Sequence, residues 1–478
     1  MAEPAAGTDI RLWVDFHGER SGRAPLTWGQ RAIWHAVRRT APNDHYFNIG
    51  RVLPLADRGR PVTTAEATGA LARLMERHEA LRTRLLTVEG EPGQELADAG
   101  VLPVTVVDVP GPERAAVAAD ELLARLSATR FDYAEEWPLR AALVTSGDRV
   151  THAVLVLCHL AADGHGAEVL VRDLRLLARR GTAGRPPVTA PLDLAREQHG
   201  ERGLRRGAAA LEHWEAGYRA APPTMFAEPV DEPRSPRFWT GRIVSTALAR
   251  AVDAVATAHR VSGSTVLLTA SAALVAAGEG HRTAAVMPIV GNRTAAAHRD
   301  LVSTLSQDGL FVLGLGEPGH LFTDLLPDAY RAALRAYVAA AYDPQEWDRL
   351  GARMREERGT EVHPYCCFND MRLVERPAPA GPPTTPQELR EARRRTRFDF
   401  PATQDRVACR YCLHITEEDD ALAVALTADT AYLPPDSIRA HLYAMEELIV
   451  ASACGEAPRV DGLARLLGAQ RLPGEDRS

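Results

Sequence analysis

The chain has 478 residues, 45% of them hydrophobic and 25% charged, with a formal net charge of −7 and a pI near 6.2. This length allows two ordinary domains or one two-lobed body, and the composition is that of a folded globular protein. The acidic balance argues against a nucleic-acid surface, no apolar run is long enough to span a membrane, and Met1 to Ile10 lacks a signal-peptide pattern. We therefore expect a cytoplasmic protein.

Strand-like and helical runs alternate along the chain, which predicts a mixed fold of the α/β type. In chain order the clearest elements are a strand at Arg149–Leu160, an amphipathic helix at Gly166–Arg180 and an apolar helix at Ser264–Gly278. The last of these is apolar nearly all round, which is typical of a helix buried on every side.

Glycine and proline interrupt these elements at Arg179–Pro191, which is the best candidate for a seam between lobes. We predict a first lobe at residues 1–180, a connecting segment at 181–237 and a second lobe at 238–478. A proline-rich stretch at 375–388 predicts an exposed loop within the second lobe.

The end of the first predicted strand carries the residues best suited to chemistry. Strand alternation places Leu155, Leu157 and His159 on one face and Cys158 on the other. Asp163 and Gly164 follow, where a helix can begin and where glycine permits a tight turn. A histidine here suits proton removal near neutral pH. The spacing alone fits equally a core histidine beside a helix capped by Asp163.

Other catalytic classes find little support. Cys158 is a tempting nucleophile, but its side chain diverges from that of His159 on a strand, so the two cannot readily exchange a proton. The sequence contains no GxSxG nucleophile elbow and no glycine-rich phosphate loop. Hydrolase, ATP-using and NAD-using chemistry are therefore disfavoured.

The six cysteines are too sparse for a disulfide framework and suit a reducing compartment. Cys409 and Cys412 form a CxxC within a strand-like run, where positions three apart point to opposite faces. We expect small buried cysteines there and no zinc site.

Cys158–Gly164, with the sequence CHLAADG, resembles the HHxxxDG motif of the condensation domains of nonribosomal peptide synthetases, in the chloramphenicol-acetyltransferase-like superfamily. Further segments are similar to that family in the same order, and the resemblance as a whole covers about Pro25 to Ala453. These segments include PLTWGQRAIW at Pro25–Trp34, LARLMERHEALRTRL at Leu71–Leu85, FDYAEEWPLR at Phe131–Arg140 and VMPIVGNRT at Val286–Thr294.

The resemblance implies two acetyltransferase-like lobes, each an α+β sandwich, arranged in a V with a central tunnel. It implies an acyl carrier or peptidyl carrier protein that presents an acyl or aminoacyl thioester on its phosphopantetheine. The acceptor would be an amine or alcohol, either a small molecule or carrier-bound, giving an amide or ester in natural-product biosynthesis. No bound metal or cofactor is implied. Because no spare segment fits a carrier, we expect a free-standing condensation enzyme that meets its carrier in trans.

The resemblance also assigns roles by motif position. His159 matches the general base or orienting residue, and Gly164 matches the glycine whose N–H lies near the reacting centre. Asp163 matches a structural aspartate, which we expect to pair with Arg82. Cys158 replaces the family's first histidine, which we expect to alter packing more than mechanism. Three further residues are candidates for substrate contacts in the tunnel, although a solvent-facing helix start is the simpler interpretation of the first: His165, Ser306 and Gln307.

Two alternatives stay open from the sequence. A catalytically silent relative would dock carriers or recruit another enzyme, although such relatives often lose the histidine or glycine retained here. An epimerisation-type domain would use the same histidine with a glutamate that the sequence does not reveal.

Overall fold

The structure is a computed structural model, and it describes residues 9–55, 60–88, 90–372, 384–407 and 409–469. The chain divides into two compact units. Unit 1 comprises residues 1–204 and 291–306, and unit 2 comprises residues 205–290 and 307–478. This division differs from the predicted linear one: the connecting segment at 181–237 is shared between the units, and 291–306 leaves the predicted second lobe for unit 1.

Unit 1 contains nine strands and five α-helices within its described residues, and the chain continues into a sixth α-helix, α6 (Glu201–Ala220), across the division. The strands are β1 (Ile10–His17), β2 (Gly22–Pro25), β3 (Ile49–Pro54), β4 (Val62–Thr63), β5 (Thr83–Val88), β6 (Glu91–Leu96), β7 (Ala99–Asp108), β8 (Leu139–Ser146) and β9 (Arg149–Leu157). The helices are α1 (Trp28–Thr40), α2 (Thr64–Arg77), α3 (Pro112–Ser127), α4 (Gly164–Arg180) and α5 (Pro191–His199).

The main sheet of unit 1 has the order β1-β7-β8-β9-β3, with β4 also paired to β9, and β2-β6-β5 form a separate small sheet. Alternation along β9 covers both faces of the main sheet. Leu155 and Leu157 enter a core with α2 and α4, whereas Val154 packs on the opposite side with α3. The sheet is therefore buried on both faces at β9, the strand that leads to His159.

Unit 2 is built on a larger mixed sheet with the order β12-β11-β14-β16-β17-β10-β15, and β13 also pairs with β11. Its strands are β10 (Phe238–Ser245), β11 (Thr283–Val290), β12 (Gln307–Asp308), β13 (Phe311–Gly314), β14 (Cys366–Asp370), β15 (Arg397–Gln404), β16 (Tyr411–Glu418) and β17 (Ala421–Asp429). Its further helices are α7 (Thr246–His259), α8 (Gly263–Gly278), α9 (Leu326–Val338), α10 (Pro344–Arg358), α11 (Pro386–Arg393), α12 (Pro435–Ala453) and α13 (Leu463–Ala469).

Helix α8 lies in the centre of the unit 2 core and is buried from Thr265 to Ala276, as its apolar sequence predicted. Its start is fixed by Ser262, whose hydroxyl accepts the N–H of Thr265. Of the predicted loop at 375–388, residues 375–383 lie outside the described part of the chain. The remainder includes Thr385, which forms a capping box with Glu388 at the start of α11.

Within the described residues no single helix is long and apolar enough to cross a membrane. Only the pair α7 and α8 passes that test jointly, and these two helices meet at a bend of 103°.

Candidate functional site

The candidate site of unit 1 lies in the turn between β9 and α4. The strand ends at Leu157, earlier than the predicted Leu160, and α4 begins at Gly164. Asp163 is the N-cap, and its side chain accepts the N–H of Gly166 at 2.9 Å. The capping role that spacing suggested for Asp163 is therefore confirmed, and it fixes where the turn that carries His159 ends.

His159 is part-buried, and its surroundings favour the neutral ring. Desolvation by burial lowers its pKa below the usual range, against weaker opposing effects from main-chain hydrogen bonds and Asp163. Its Nδ1 lies 3.4 Å from the hydroxyl of Thr304, which in turn donates to the main-chain oxygen of His159. The ring of Phe47 approaches edge-on, with centroids 6.3 Å apart. A neutral imidazole held this way can accept a proton at neutral pH.

Asp163 is a buried anion with four hydrogen-bond partners. Its Oδ1 accepts from Arg293 Nη2 at 2.6 Å and from Gly166 N, while Oδ2 accepts from Leu305 N and Ser306 Oγ, both at 3.1 Å. Burial alone would raise its pKa, but the charge of Arg293 and these hydrogen bonds outweigh burial, so the pKa lies below its ordinary value. Asp163 thus ties segment 291–306 to the start of α4.

The predicted pairing of Asp163 with Arg82 is wrong. Arg82 is 2% exposed and donates through Nη1 to the carbonyls of Arg20 and Ala97, at 2.8 and 2.5 Å. Arg82 is the last residue of a short 3₁₀ helix at Glu79–Arg82. Asp163 pairs instead with Arg293, which lies 130 positions downstream. The order of the motifs in the sequence does not reveal such a pairing.

The segment around Arg82 nevertheless contacts helix α4, through a different carboxylate. Asp173 accepts from Arg77 Nε at 2.7 Å and lies 3.0 Å from Nε2 of His78. Burial would raise the pKa of Asp173, but the contacts with His78 and Arg77 lower it to about 2. The RHExLRT-like sequence therefore anchors α4 at Asp173, well along the helix from its cap at Asp163.

Cys158 lies directly after β9, which ends at Leu157, so the strand alternation used to place it opposite His159 does not apply there. It is 3% exposed and packs with Phe131, Val156 and Leu160. Burial raises the pKa of its thiol to about 12, so the sulfur stays protonated and is a poor nucleophile at neutral pH. The structure thus gives Cys158 a packing role.

The other sequence-predicted residues have mixed outcomes. Gly164 is exposed, its φ is not in the left-handed region, and an added Cβ would meet no atom within 4 Å, so the positive-φ turn that glycine would permit is not adopted. His165 lies beside it, with Nε2 2.9 Å from the carbonyl of Arg299. Ser306 and Gln307, predicted to contact substrate, use their side chains internally: Ser306 donates to Asp163, and Gln307 is buried and donates to the carbonyl of Tyr342.

Cys409 and Cys412 form a disulfide, so the expectation of free cysteines at this pair is wrong. The reason is that β16 begins at Tyr411, which leaves Cys409 before the strand, where strand alternation does not apply. In the ranges that the structure describes, no group of three or more His, Cys, Asp or Glu side chains is arranged to hold a metal ion.

Sequence reasoning missed two residues of the site, Thr304 and the role of Arg293. Both lie in segment 291–306, which follows β11 and returns to unit 1. The GNRT run that contains Arg293 was the available signal, since a buried arginine needs an acidic partner, but the resemblance had assigned Asp163 to Arg82.

The described residues thus form two mixed α/β units, and in unit 1 a helix capped by aspartate directly follows a histidine-bearing turn. The sequence matches the family described as "Condensation domain" over residues 21–312, more than half of the chain. The chain belongs to the condensation-domain family, which includes parts of nonribosomal peptide synthetases that build natural products.

The chain is similar to the phosphinothricin tripeptide synthetase PhsC of Streptomyces viridochromogenes, with 32% identity over 358 residues, which are 72% of this chain and 32% of that protein. It is 30% identical over 371 residues to an isonitrile lipopeptide synthase of Mycobacterium tuberculosis, covering 72% of this chain and 14% of that protein. The chain thus spans a third or less of these two relatives.

Solved structures share the fold at lower identity. The condensation domain of the Monacolin K polyketide synthase MokA has a TM-score of 0.71 and 16% identity, covering 92% of this chain and 99% of that one. SgcC5 of Streptomyces globisporus has a TM-score of 0.65 and 21% identity, covering 91% and 100%. These likenesses establish the two-unit acetyltransferase-like fold.

Proposed function

We propose that this protein transfers an acyl or aminoacyl group from the phosphopantetheine thioester of a carrier protein to an amine or alcohol, forming an amide or ester. The observation that carries the proposal is His159: a neutral, part-buried imidazole in the turn before α4, within a chain of the condensation-domain family. The proposed reaction would belong to a cytoplasmic pathway of natural-product biosynthesis.

In the proposed reaction the acceptor nitrogen or oxygen attacks the thioester carbonyl while Nε2 of His159 removes its proton. The tetrahedral intermediate then collapses, the carbon–sulfur bond breaks, and the imidazolium returns the proton to the leaving thiolate. The N–H of Gly164, at the exposed start of α4, is the proposed donor to the oxyanion, since the first N–H groups of a helix have no partner within the helix. The thioester supplies the activated acyl group, so no metal or dissociable cofactor takes part.

The test is an acyl-transfer assay with the carrier supplied as a separate, acyl-loaded protein. Candidate amines and alcohols are offered, and product and carrier are followed by intact mass. We expect transfer with the wild-type protein and a loss of about a hundredfold or more in the His159→Ala variant. Unchanged transfer in that variant would overturn the role of His159.

Two outcomes would favour the other functions. Carrier binding without transfer to any acceptor would support a docking protein. Exchange of the α-hydrogen of a carrier-bound aminoacyl group for solvent deuterium, without transfer, would support an epimerisation-type reaction.

A further inference from the structure

Thr304 contacts both the ring and the main chain of His159. It comes from segment 291–306, and the residue is 2% exposed. Its hydroxyl donates to the main-chain oxygen of His159 and lies 3.4 Å from Nδ1 of the same residue. A single hydroxyl therefore bridges the main chain and the ring of His159.

This bridge selects one tautomer of the ring. The hydroxyl has one proton, and the carbonyl oxygen of His159 can only accept, so that proton is committed to the carbonyl. The oxygen therefore presents lone pairs toward Nδ1, and the contact is favourable only when Nδ1 carries the hydrogen. Nε2 then keeps its lone pair, which is the form that a proton acceptor at Nε2 requires.

The main chain around Thr304 is held on both sides. Arg293 Nη2 donates to the carbonyl of Ser303 at 3.1 Å, and the N–H of Leu305 donates to Asp163 at 3.1 Å. From a third direction, Gly29 of α1 approaches so closely that an added Cβ would lie 2.2 Å from the carbonyl oxygen of Thr304. These three contacts fix the main chain that carries the Thr304 hydroxyl.

We propose that Thr304 is a positioning residue that holds His159 in the Nδ1–H tautomer, and that the Asp163–Arg293 pair acts on His159 through Thr304. The catalytic consequence of this inference rests on the proposed function, but the tautomer itself does not. The hydrogen bonds of the buried aspartate go to Arg293, Gly166, Leu305 and Ser306 rather than to the His159 ring, and Thr304, whose neighbour Leu305 donates to Asp163, supplies a hydrogen-bonded link between the two.

The test separates the hydroxyl from the shape of the side chain. Thr304→Ser keeps the hydroxyl, and Thr304→Val keeps the shape without it. Protein labelled with ¹⁵N-histidine reports the tautomer through the two ring nitrogen shifts, and the His159 signals are identified by their loss in His159→Gln. We expect Nδ1–H in wild type and Thr304→Ser, and a mixture of tautomers in Thr304→Val. Wild-type Nε2–H, or no change in Thr304→Val, would overturn the proposal.

Activity gives the second reading. In the acyl-transfer assay, loss of one hydrogen bond to the base is expected to lower kcat about tenfold in Thr304→Val with KM unchanged, and Thr304→Ser is expected to restore it. Should the tautomers behave as expected while no variant transfers an acyl group, the proposed function fails and the positioning role stands. Should Thr304→Val raise KM alone, Thr304 contacts substrate and the proposal fails.

Discussion

Asp163 and Arg293 form a buried ion pair, with Oδ1 and Nη2 2.6 Å apart, between two side chains 130 positions apart in the sequence. Each side chain is less than a tenth exposed. The pair connects the cap of α4 to the segment that carries Thr304. Its loss should therefore lower the free energy of unfolding and disturb the position of the His159 ring.

We expect Asp163→Asn to lower the free energy of unfolding by about 3–5 kcal/mol, because it leaves the Arg293 guanidinium buried without a counter-charge. The measurement is urea unfolding followed by circular dichroism. Asp300→Asn is the matched control: Asp300 pairs with Arg172 at the surface, with both side chains nearly half exposed, and its loss should cost less than about 1 kcal/mol. Equal losses in the two variants would contradict the buried role of Asp163.

A double-mutant cycle decides which arginine Asp163 pairs with. Combining Asp163→Asn with Arg293→Met should show a coupling energy of about 1–3 kcal/mol, because the two residues share one interaction. Combining Asp163→Asn with Arg82→Met should be additive within about 0.5 kcal/mol, since Arg82 donates to main-chain carbonyls elsewhere. Coupling to Arg82 would restore the pairing expected from the sequence.

Gly29 tests the packing of segment 291–306 without a change to any side chain that contacts His159. In Gly29→Ala the new methyl group meets the main chain of Thr304 and Leu305, which must move, at an expected cost of about 1–3 kcal/mol. Gly69→Ala is the control within α2, where an added Cβ meets nothing within 4 Å, and it should gain about 0.5–1 kcal/mol. Thermal unfolding compares them, and a stabilised Gly29→Ala would refute the close approach.

Cys158 should be dispensable for chemistry. Because its thiol is buried and protonated, Cys158→Ala is expected to keep acyl transfer within about twofold of wild type. Its lost packing against Phe131 and Val156 should cost about 1 kcal/mol of stability. A folded Cys158→Ala protein without activity would assign the sulfur a chemical role after all.

The pH dependence of the reaction follows from the lowered pKa of His159. A base must be unprotonated, so activity is lost as pH falls through the folded-state pKa, which lies below the ordinary 6.5. We expect the acid limb of kcat/KM below pH 6.5, measured with an alcohol acceptor that does not titrate in this range. Circular dichroism over the same pH range separates protonation from unfolding. An acid limb above pH 7 would contradict a desolvated neutral ring.

The sequence allowed the local part of this site to be predicted, because a strand of period two and an N-cap aspartate are short-range signals. The position of His159 just after β9 and the start of α4 near Asp163 follow from neighbours within a few residues. The partners Arg293 and Thr304 do not, since the chain passes through α4, α5, α6, β10, α7, α8 and β11 before reaching them, and no periodicity encodes which distant cation meets which anion. Arg82 was therefore an inference from motif order without support from geometry.

The return of residues 291–306 to unit 1 has a practical consequence for protein engineering. A cut near residue 204 would separate the two sheets, yet the N-terminal fragment would lack Arg293, Leu305 and Thr304 and would expose Asp163 as an unpaired anion. Chimeras with related proteins therefore need to exchange 291–306 together with the first 204 residues, because the two segments form one structural unit. If contiguous halves alone were exchanged, segment 291–306 of the related protein would pack against the native His159.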